Sequence, residues 1–282
     1  MTLYERRAAG ILYNLLRARD DRRTLLLPGN VCSIVPETLR AANQPFALVD
    51  IAEPHLHMDA EQCLARAREE DVGGVLYVRT YGNDADPGPF FTAIRGIRDD
   101  LLLIDDKCLC RPDVDGASVS PLADVTLFST GRVKYVDLGH GGFAHLREGV
   151  AYRRFEGPGW LELSGPDMTW TRYRAHLLEE AVAADAQKEA LNAVYAGALP
   201  AEVQLPAELQ RWRFNIRVQE PDRLIETIFA SGLFASRHYA AGPGCPVAER
   251  LHAEVVNLFN DRYFDAGRAR QITRLVNRHL ER

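Results

Sequence analysis

Short apolar runs alternate with amphipathic segments along the first half of the chain, at intervals of about 20 to 30 residues. The apolar runs have the length of buried strands, and the amphipathic segments carry apolar residues at helical spacing. The predicted strands cover residues 24–28, 46–51, 73–82, 101–106 and 123–130, and the predicted helices cover residues 3–17, 33–43, 59–71 and 90–99. This alternation predicts parallel βαβ crossovers, and thus an α/β fold whose mostly parallel sheet has helices on both faces.

The second half of the chain has a different pattern. Residues 157–170 have the composition of a loop, and residues 170–196, rich in Ala, Leu and Glu, predict one long helix. Beyond it we predict strands over residues 211–218 and 236–240, and helices over residues 222–234, 249–259 and 266–280. We therefore expect a large α/β domain over residues 1–165, followed by a long connecting helix and a small α+β domain over residues 166–282.

Composition is that of an ordinary globular protein. Of the 282 residues, 46% are hydrophobic and 26% charged, and the net charge is −5 with a pI near 5.9. That charge provides no basic surface for nucleic acid, so we expect no nucleic-acid partner. The sequence has neither an apolar run of membrane length nor a signal-peptide pattern, so we expect a cytoplasmic protein with no membrane partner.

The five cysteines are odd in number and widely scattered. This distribution is typical of a reducing compartment and does not indicate a disulfide framework. Cys108 and Cys110 form a C-x-C pair, but no second pair stands at zinc-ligand spacing, so we expect no metal.

Polar side chains fall at the predicted strand ends, where ligands bind in parallel α/β sheets. Tyr81, Asp106 and Ser129 lie at or just after such ends. Asp106 belongs to an acidic pair that closes an apolar strand, and a carboxylate there needs a cationic or protonated partner. A protonated pyridine nitrogen is one such partner. Pairing with Lys107, or a solvated aspartate that caps a turn, is the alternative.

Lysine is rare in this chain, since 31 of the 34 basic residues are arginine. Lys134 follows a predicted strand and stands in a loop close to four glycines. A lysine amine in a desolvated pocket can attack a carbonyl and form a Schiff base. The alternative is a surface-loop lysine beside ordinary turn glycines. We expect a carboxylate to hold Lys107, and Lys188 to lie on the solvated face of the long helix.

These elements, in this order, resemble the DegT/DnrJ/StrS family of sugar aminotransferases, which have the fold-type I architecture of pyridoxal phosphate enzymes. The segments that carry the resemblance are LLLPGNVCSIVPETLRAANQPFALVDI, VLYVRTYGNDAD, LLLIDDKC, ADVTLFSTGRVKYVDLGHGGFA, RWRFNIRV, GLFASRHYA and PVAERLHAEVVNLF. The resemblance implies a fold-type I transferase with a mostly parallel central sheet and a small C-terminal α+β domain. It also implies pyridoxal 5'-phosphate as cofactor.

The resemblance assigns roles to four of the residues already named. Lys134 falls on the lysine that forms a Schiff base with the cofactor and later moves a proton, and Asp106 falls on the acid that keeps the pyridinium protonated. Ser129 falls on a hydroxyl that binds the cofactor phosphate. Tyr81 falls in the segment that lines the pocket near the ring.

Further positions follow from the same comparison. The family has a Gly-Thr or Gly-Ser phosphate turn where this chain has Arg6 and Arg7, so Arg6 or Arg7 could supply part of the anion site or lie on a solvated helix face. Cys32 stands where an aromatic ring often stacks on the cofactor. The substrate-binding candidates are His238, Tyr239 and His140, for which domain packing or a loop position without a role is the alternative.

The function implied is transfer of an amino group from Glu or Gln to a keto sugar, nucleotide-linked, in surface polysaccharide or specialised-metabolite biosynthesis. The implied assembly is a homodimer. The alternative is a non-catalytic or cofactor-poor relative that serves as a binding or assembly protein, which the absent Gly-Ser/Thr turn favours. A sugar dehydratase of the same fold has histidine in place of the lysine, so Lys134 counts against that activity.

Overall fold

The computed structural model describes residues 1–161 and 168–282. Within these ranges, seven strands form one mixed sheet in the order β1-β7-β6-β5-β4-β2-β3. The strands are β1 (Thr2–Glu5), β2 (Thr24–Pro28), β3 (Phe46–Val49), β4 (Val72–Val78), β5 (Leu102–Asp106), β6 (Val125–Ser129) and β7 (Gly142–Leu146). Strands β2 to β6 run parallel to one another, whereas β7 runs antiparallel to both β6 and β1.

Helices cover both faces of this sheet because successive side chains of each strand point to opposite sides. The helices of this half are α1 (Ala8–Ala18), α2 (Ile34–Ala41), α3 (Ala60–Ala67) and α4 (Gly88–Ile97). On β2, Leu25 and Leu27 pack in the same cluster as α1 and α2, whereas Leu26 packs in the cluster that contains α3 and α4. The expected α/β fold with a mostly parallel, doubly covered sheet is confirmed.

The two antiparallel strands at the β1 edge were not predicted. We expected a helix over residues 3–17, but the helix begins at Ala8, and Thr2–Glu5 pairs with β7 from Thr2 opposite His145 to Glu5 opposite Gly142. The first residues extend because an antiparallel ladder satisfies their backbone groups. Both strands are short, and the partner lies about 140 positions away in sequence, so no local pattern indicates either of them.

The second half contains a long helix and a three-stranded antiparallel sheet of order β8-β10-β9. Its elements are α5 (Trp170–Ala198), β8 (Phe214–Arg217), α6 (Pro221–Ala230), β9 (Ala235–Ser236), α7 (Pro246–Glu254), β10 (Val255–Leu258) and α8 (Ala266–Leu280). The predicted helix over residues 249–259 was wrong in its last part, because α7 ends at Glu254 and Val255–Leu258 is the central strand of this sheet. The domain boundary predicted after residue 165 lies outside the described residues and stays a prediction.

Helix α5 connects the two halves through its packing. Tyr173 and Leu177, near its start, pack with Phe128 and Phe143 of the large sheet. Leu191 and Tyr195, near its end, belong to the core of the three-stranded sheet. The helix therefore holds the small sheet next to the carboxyl ends of β5 and β6.

Candidate active site

A cavity of about 630 Å³ opens at the carboxyl ends of β5 and β6. That volume is within the roughly 300–1,000 Å³ of small-molecule sites. Eight of the nine predicted site residues line it: Arg7, Cys32, Asp106, Ser129, Lys134, His140, His238 and Tyr239. The cavity thus brings together the start of α1, the loop after β2, the ends of β5 and β6, the loop from residue 131 to residue 141, and the segment after β9.

Lys134 stands in a loop that its own hydrogen bonds hold in shape. The Asp137 carboxylate accepts from the backbone N–H of Val133 at 2.9 Å and of Gly139 at 2.8 Å. Val133 has a φ of 56°, and the amide of Lys134 donates to the Gly131 carbonyl at 3.3 Å. Among the described residues no acceptor lies within bonding distance of the half-buried Lys134 ammonium. The loop therefore leaves this amine available to a ligand.

The two aspartates at the end of β5 face opposite sides of the sheet. Asp105 is fully buried and binds the Arg79 guanidinium through two hydrogen bonds of 2.6 and 3.0 Å. Asp106 lines the cavity at 6% exposure and accepts from the Cys108 amide at 2.9 Å. Burial raises the pKa of Asp106, while Lys134 opposes that rise. Within the described ranges Asp106 has no ion pair, so its charge is only partly compensated.

Lys107 does not pair with either of those aspartates. Its ammonium lies 2.6 Å from Asp84 Oδ1 and donates to Ser118 Oγ at 2.8 Å, and the side chain is 1% exposed. A carboxylate holds this lysine, as expected, but the acid comes from the loop after β4. Lys107 therefore has a structural role, and its side chain does not line the cavity.

The cavity has an electropositive end at the start of α1. Ser129 on β6 pairs with Gly142 on β7, and a Cβ added to Gly142 would lie 2.4 Å from the Ala8 backbone nitrogen. The first N–H groups of a helix have no partner within the helix and carry its positive dipole end. The Ser129 hydroxyl and the α1 N-terminus are therefore close neighbours and form a site suited to an anion.

Arg7 lines the same end of the cavity, and its guanidinium donates to the Trp160 carbonyl at 2.6 Å. Partial burial lowers the pKa of Arg7. This contact keeps the side chain at the edge of the cavity, next to the helix N-terminus. Arg6, the other arginine considered for the anion site, lines the cavity as well, and so does Arg132, which was not assigned to a site from sequence.

Gly141 allows the loop after Lys134 to return to α1. Its φ is +90°, and an added Cβ would lie 2.6 Å from Tyr173 Cε2 and 2.8 Å from Thr130 Oγ1. Its amide donates to the Arg6 carbonyl at 2.7 Å. The neighbouring His140 donates from Nδ1 to the Leu138 carbonyl at 2.9 Å, and its buried Nε2 has no partner among the described residues.

The segment after β9 contributes His238 and Tyr239. The Tyr239 ring stacks on Trp212 with centroids 6.3 Å apart and 10° between planes. Burial raises the pKa of Tyr239 well above its usual range, so its hydroxyl keeps its proton. Burial and then the Arg213 charge lower the pKa of His238 to about 4, so its imidazole is neutral at pH 7.

Tyr81 is the one predicted site residue that does not line the cavity. Its side chain is fully buried, its φ is +53°, and its hydroxyl donates to the His238 carbonyl. Its ring is parallel to that of Trp212, with 4° between planes. Tyr81 thus holds the His238 segment through this hydrogen bond without lining the cavity itself.

Trp212 has a larger part in the site than its sequence position indicated. The side chain is 2% exposed and lines the cavity, and its Nε1 donates to the Val133 carbonyl at 2.7 Å. The one available signal was its position at the start of the strand predicted over residues 211–218, which does not specify a partner.

Lys188 is not on a solvated face, so that prediction was wrong. The side chain is 4% exposed and donates to the Trp212 carbonyl at 2.7 Å and to Asn260 Oδ1 at 2.9 Å. Burial lowers the pKa of Lys188 to about 7. The charged and small residues around it in the sequence suggested exposure, but the small domain packs over this part of α5.

The described residues contain no group of three or more His, Cys, Asp or Glu side chains arranged to hold a metal ion. All five cysteines are free. Among the helices in the described ranges, none has the length and apolarity needed to cross a bilayer.

Comparisons with known proteins identify the fold. No protein-family model matches the chain, and no curated protein matches it in sequence. Three solved structures that it resembles are a DegT DnrJ EryC1 StrS aminotransferase from Brucella abortus, DesI in the presence of its TDP-sugar product, and S. venezuelae DesV in complex with a ketimine intermediate.

The sequence identities with these three structures are 17%, 19% and 18%, and the TM-scores are 0.73, 0.74 and 0.75. The matches cover 99%, 99% and 100% of this chain, and 85%, 82% and 85% of the respective relatives. At such identities the likeness establishes the fold, which is that of these aminotransferases. The fold-type I architecture expected from the sequence is thereby confirmed.

Proposed function

We propose that this chain is a pyridoxal phosphate-dependent aminotransferase that converts a keto sugar, carried on a nucleotide, into an amino sugar. The observation that carries the proposal is the shared cavity of Lys134, Asp106 and Ser129. An amine, a buried carboxylate and a hydroxyl beside a helix N-terminus are the groups that this cofactor requires. The shared fold with sugar aminotransferases supports the same conclusion.

The residues present fit the cofactor. Asp106 is a buried carboxylate without an ion pair in the described part of the chain, and a protonated ring nitrogen would compensate its charge. The N-terminus of α1 and the Ser129 hydroxyl offer hydrogen-bond donors to a phosphate. Arg7 at the edge of this site adds positive charge. Lys134 and Cys32 line the remaining part of the cavity, where the ring would be held.

When bound, pyridoxal phosphate supplies an electron sink for a substrate carbon that loses a proton. The chain's own contribution to that chemistry is the movement of the proton. Lys134 Nζ, which no described acceptor engages, can take a proton from one carbon and return it to another. Asp106 supplies a carboxylate to the same cavity and so favours positive charge beside it. One lysine serves both half-reactions, so ping-pong kinetics follow.

The substrate end of the cavity presents neutral polar groups. At pH 7 the His238 imidazole is uncharged, and Tyr239 keeps its O–H donor. His140 contributes a buried Nε2 without a described partner. Such donors and acceptors suit the hydroxyl groups of a sugar. We propose a nucleotide-linked keto sugar as acceptor, Glu or Gln as amino donor, and a place in surface polysaccharide or specialised-metabolite biosynthesis.

We also propose that the protein acts in the cytoplasm as a homodimer, with a large domain over residues 1–165 and a connecting helix and small domain over residues 166–282. Arg132 and Val133, in the loop that leads to His140, line the cavity and are exposed at its edge. A second copy at this edge would complete the enclosure of the anion site.

A binding or assembly role without catalysis is the second candidate, and one observation favours it. The N-terminus of α1 has Arg7 in place of a side chain that caps the helix, and the Arg7 guanidinium is already bound to the Trp160 carbonyl. If that contact persists, the anion site has fewer free donors than a Gly-Ser or Gly-Thr turn would provide. The cofactor experiment separates the two candidates.

The test is reconstitution of the purified chain with pyridoxal phosphate. We expect a visible absorbance band from the bound cofactor, its loss on borohydride reduction, and amino transfer from glutamate or glutamine to a nucleotide-linked keto sugar. Binding of the cofactor without transfer to any keto sugar would reject the sugar substrate. Absence of a band with the cofactor in excess would favour the binding role.

A further inference from the structure

Lys188 is a buried lysine that lies outside the cavity. It lies on α5, and its ammonium donates to the Trp212 carbonyl at 2.7 Å and to Asn260 Oδ1 at 2.9 Å. Asn260 is fully buried and donates in turn to Asn192 Oδ1 at 2.9 Å. Burying a lysine costs free energy unless its hydrogens find acceptors. A methionine at this position would pack without that desolvation cost, so a buried ammonium at this position needs a functional explanation.

The contacts of Lys188 connect it to Val133 and Tyr135, the residues on either side of Lys134 in the sequence. Trp212, which binds Lys188 through its backbone carbonyl, donates from Nε1 to the Val133 carbonyl at 2.7 Å. On the other side, the Lys188 ammonium lies 5.0 Å from the centre of the Tyr135 ring. The Tyr135 hydroxyl donates at 2.9 Å to Asp185, which precedes Lys188 by one turn of the helix.

Trp212 also links this arrangement to the substrate end of the cavity. Its ring stacks on Tyr239 and meets the edge of His238 with centroids 5.4 Å apart. The backbone amide of Trp212 donates to the Tyr81 carbonyl at 3.1 Å. A shift of Trp212 would therefore move the loop that carries Lys134 and the His238–Tyr239 segment together.

We propose that Lys188 is a positioning residue that holds Trp212 and Tyr135 so that the loop around Lys134 presents its amine to the cavity. Val133 has a positive φ, a backbone conformation that is sterically unfavourable for a residue with a branched side chain. Two bonds stabilise that conformation, one from the Val133 amide to Asp137 and one from Trp212 to the Val133 carbonyl. The second of these depends on the position of Trp212, which Lys188 holds.

Three charged groups besides the ammonium itself shift the pKa of Lys188. Asp261 and Asp185 favour the protonated form of Lys188, whereas Arg213 and burial disfavour it. Tyr135 presents only its ring, and its own pKa is raised by burial and by Asp185. A neutral amine keeps two hydrogens, enough for the Trp212 and Asn260 bonds, so the positioning role persists in either protonation state.

The test is hydrogen–deuterium exchange of residues 131–137 in the cofactor-free protein. In Lys188→Met we expect exchange about tenfold faster in this segment, the change that loss of one ordinary buried hydrogen bond produces. Trp212→Phe, which keeps a stacking ring but loses the bond to Val133, should show the same acceleration. Gln187→Met is the matched control, because Gln187 donates to Asp261 and Phe264 carbonyls and makes no bond to Trp212.

A second readout is the rate at which Lys134 is trapped by pyridoxal phosphate and borohydride, which should fall in Lys188→Met and Trp212→Phe but not in Gln187→Met. Equal exchange in all three variants and the parent would overturn the positioning role, as would acceleration throughout the chain. The role of Lys134 in this inference rests on the proposed function. The exchange experiment uses no cofactor, so a failed proposal for the activity and a failed proposal for Lys188 give different results.

Discussion

Asp105 and Asp106 are consecutive residues whose carboxyl groups serve opposite faces of one sheet. Asp105 is bound by Arg79 in the buried layer beneath β4 and β5, and Asp106 faces the cavity that contains Lys134. The pleat of β5 produces this division, because adjacent side chains of a strand alternate. Asp105 therefore serves the stability of the fold and Asp106 serves the cavity, so substitution of each residue should give a different effect.

Asp106→Asn should keep the fold and impair the activity. The amide is nearly isosteric, but it cannot hold a positive charge at the ring nitrogen, so we expect turnover to fall by about 10²–10³-fold. Steady-state kinetics and the spectrum of the bound cofactor measure this loss. Asp105→Asn should instead lower the free energy of unfolding by about 3–5 kcal/mol, because it leaves Arg79 buried without its counter-charge. The reverse pattern would assign the cofactor role to Asp105.

Lys134→Ala should abolish the visible absorbance of bound pyridoxal phosphate and all transamination. After borohydride reduction of the parent protein, mass spectrometry should place the pyridoxyl group on the peptide that contains Lys134. Lys107→Met is the control, since Asp84 and Ser118 hold that ammonium away from the cavity. An adduct on Lys107 or on Lys188 would refute the assignment.

Gly141→Ala should destabilise the protein more than Gly139→Ala. Both glycines have a positive φ, which costs a residue with a Cβ about 1–2 kcal/mol. At Gly141 the added Cβ also meets Tyr173 and Thr130, whereas at Gly139 it meets open space. Urea unfolding of the two variants measures the difference. Equal urea midpoints for the two variants would show that Tyr173 and Thr130 accommodate the added Cβ without a loss of stability.

Lys188 should make stability increase with pH. Burial lowers its pKa from the usual 10.5 to about 7, so between these values the unfolded chain binds more protons than the folded one. The free energy of unfolding of the parent, relative to Lys188→Met, should then rise by up to about 1.4 kcal/mol per pH unit above pH 7. Below pH 7 both states bind the proton and the difference should be flat. Denaturant titrations from pH 6 to pH 9 measure it, and a difference that falls with pH would contradict the lowered pKa.

The proposed homodimer should be visible in solution. Light scattering at several concentrations should give twice the chain mass of 31.6 kDa. A two-fold arrangement would place the same surface of each copy at the interface. A monomer over the whole concentration range would reject the assembly and, with it, a cavity completed by a second copy.

The sequence by itself determined the elements whose signals are local. Buried strands such as Thr24–Pro28 have continuous apolar side chains because both faces are covered, and α8 shows its apolar stripe over its whole length. The succession of Asp106, Ser129 and Lys134 at strand ends likewise predicted that these side chains would meet, since parallel strands end at one edge of a sheet. The structure brings all three to one cavity.

Only the tertiary structure decided the features that depend on a distant partner. Strand β1 forms because β7 lies beside it, and Lys188 is buried because Trp212 and Asn260, far along the chain, cover this turn of α5. Tyr81 lies just after β4, but contacts with the second half of the chain place its hydroxyl at the His238 carbonyl, and its side chain does not line the cavity. Local periodicity records which face of an element is covered. It does not indicate which segment covers that face, because the covering segment is determined by packing between parts of the chain that are remote in sequence.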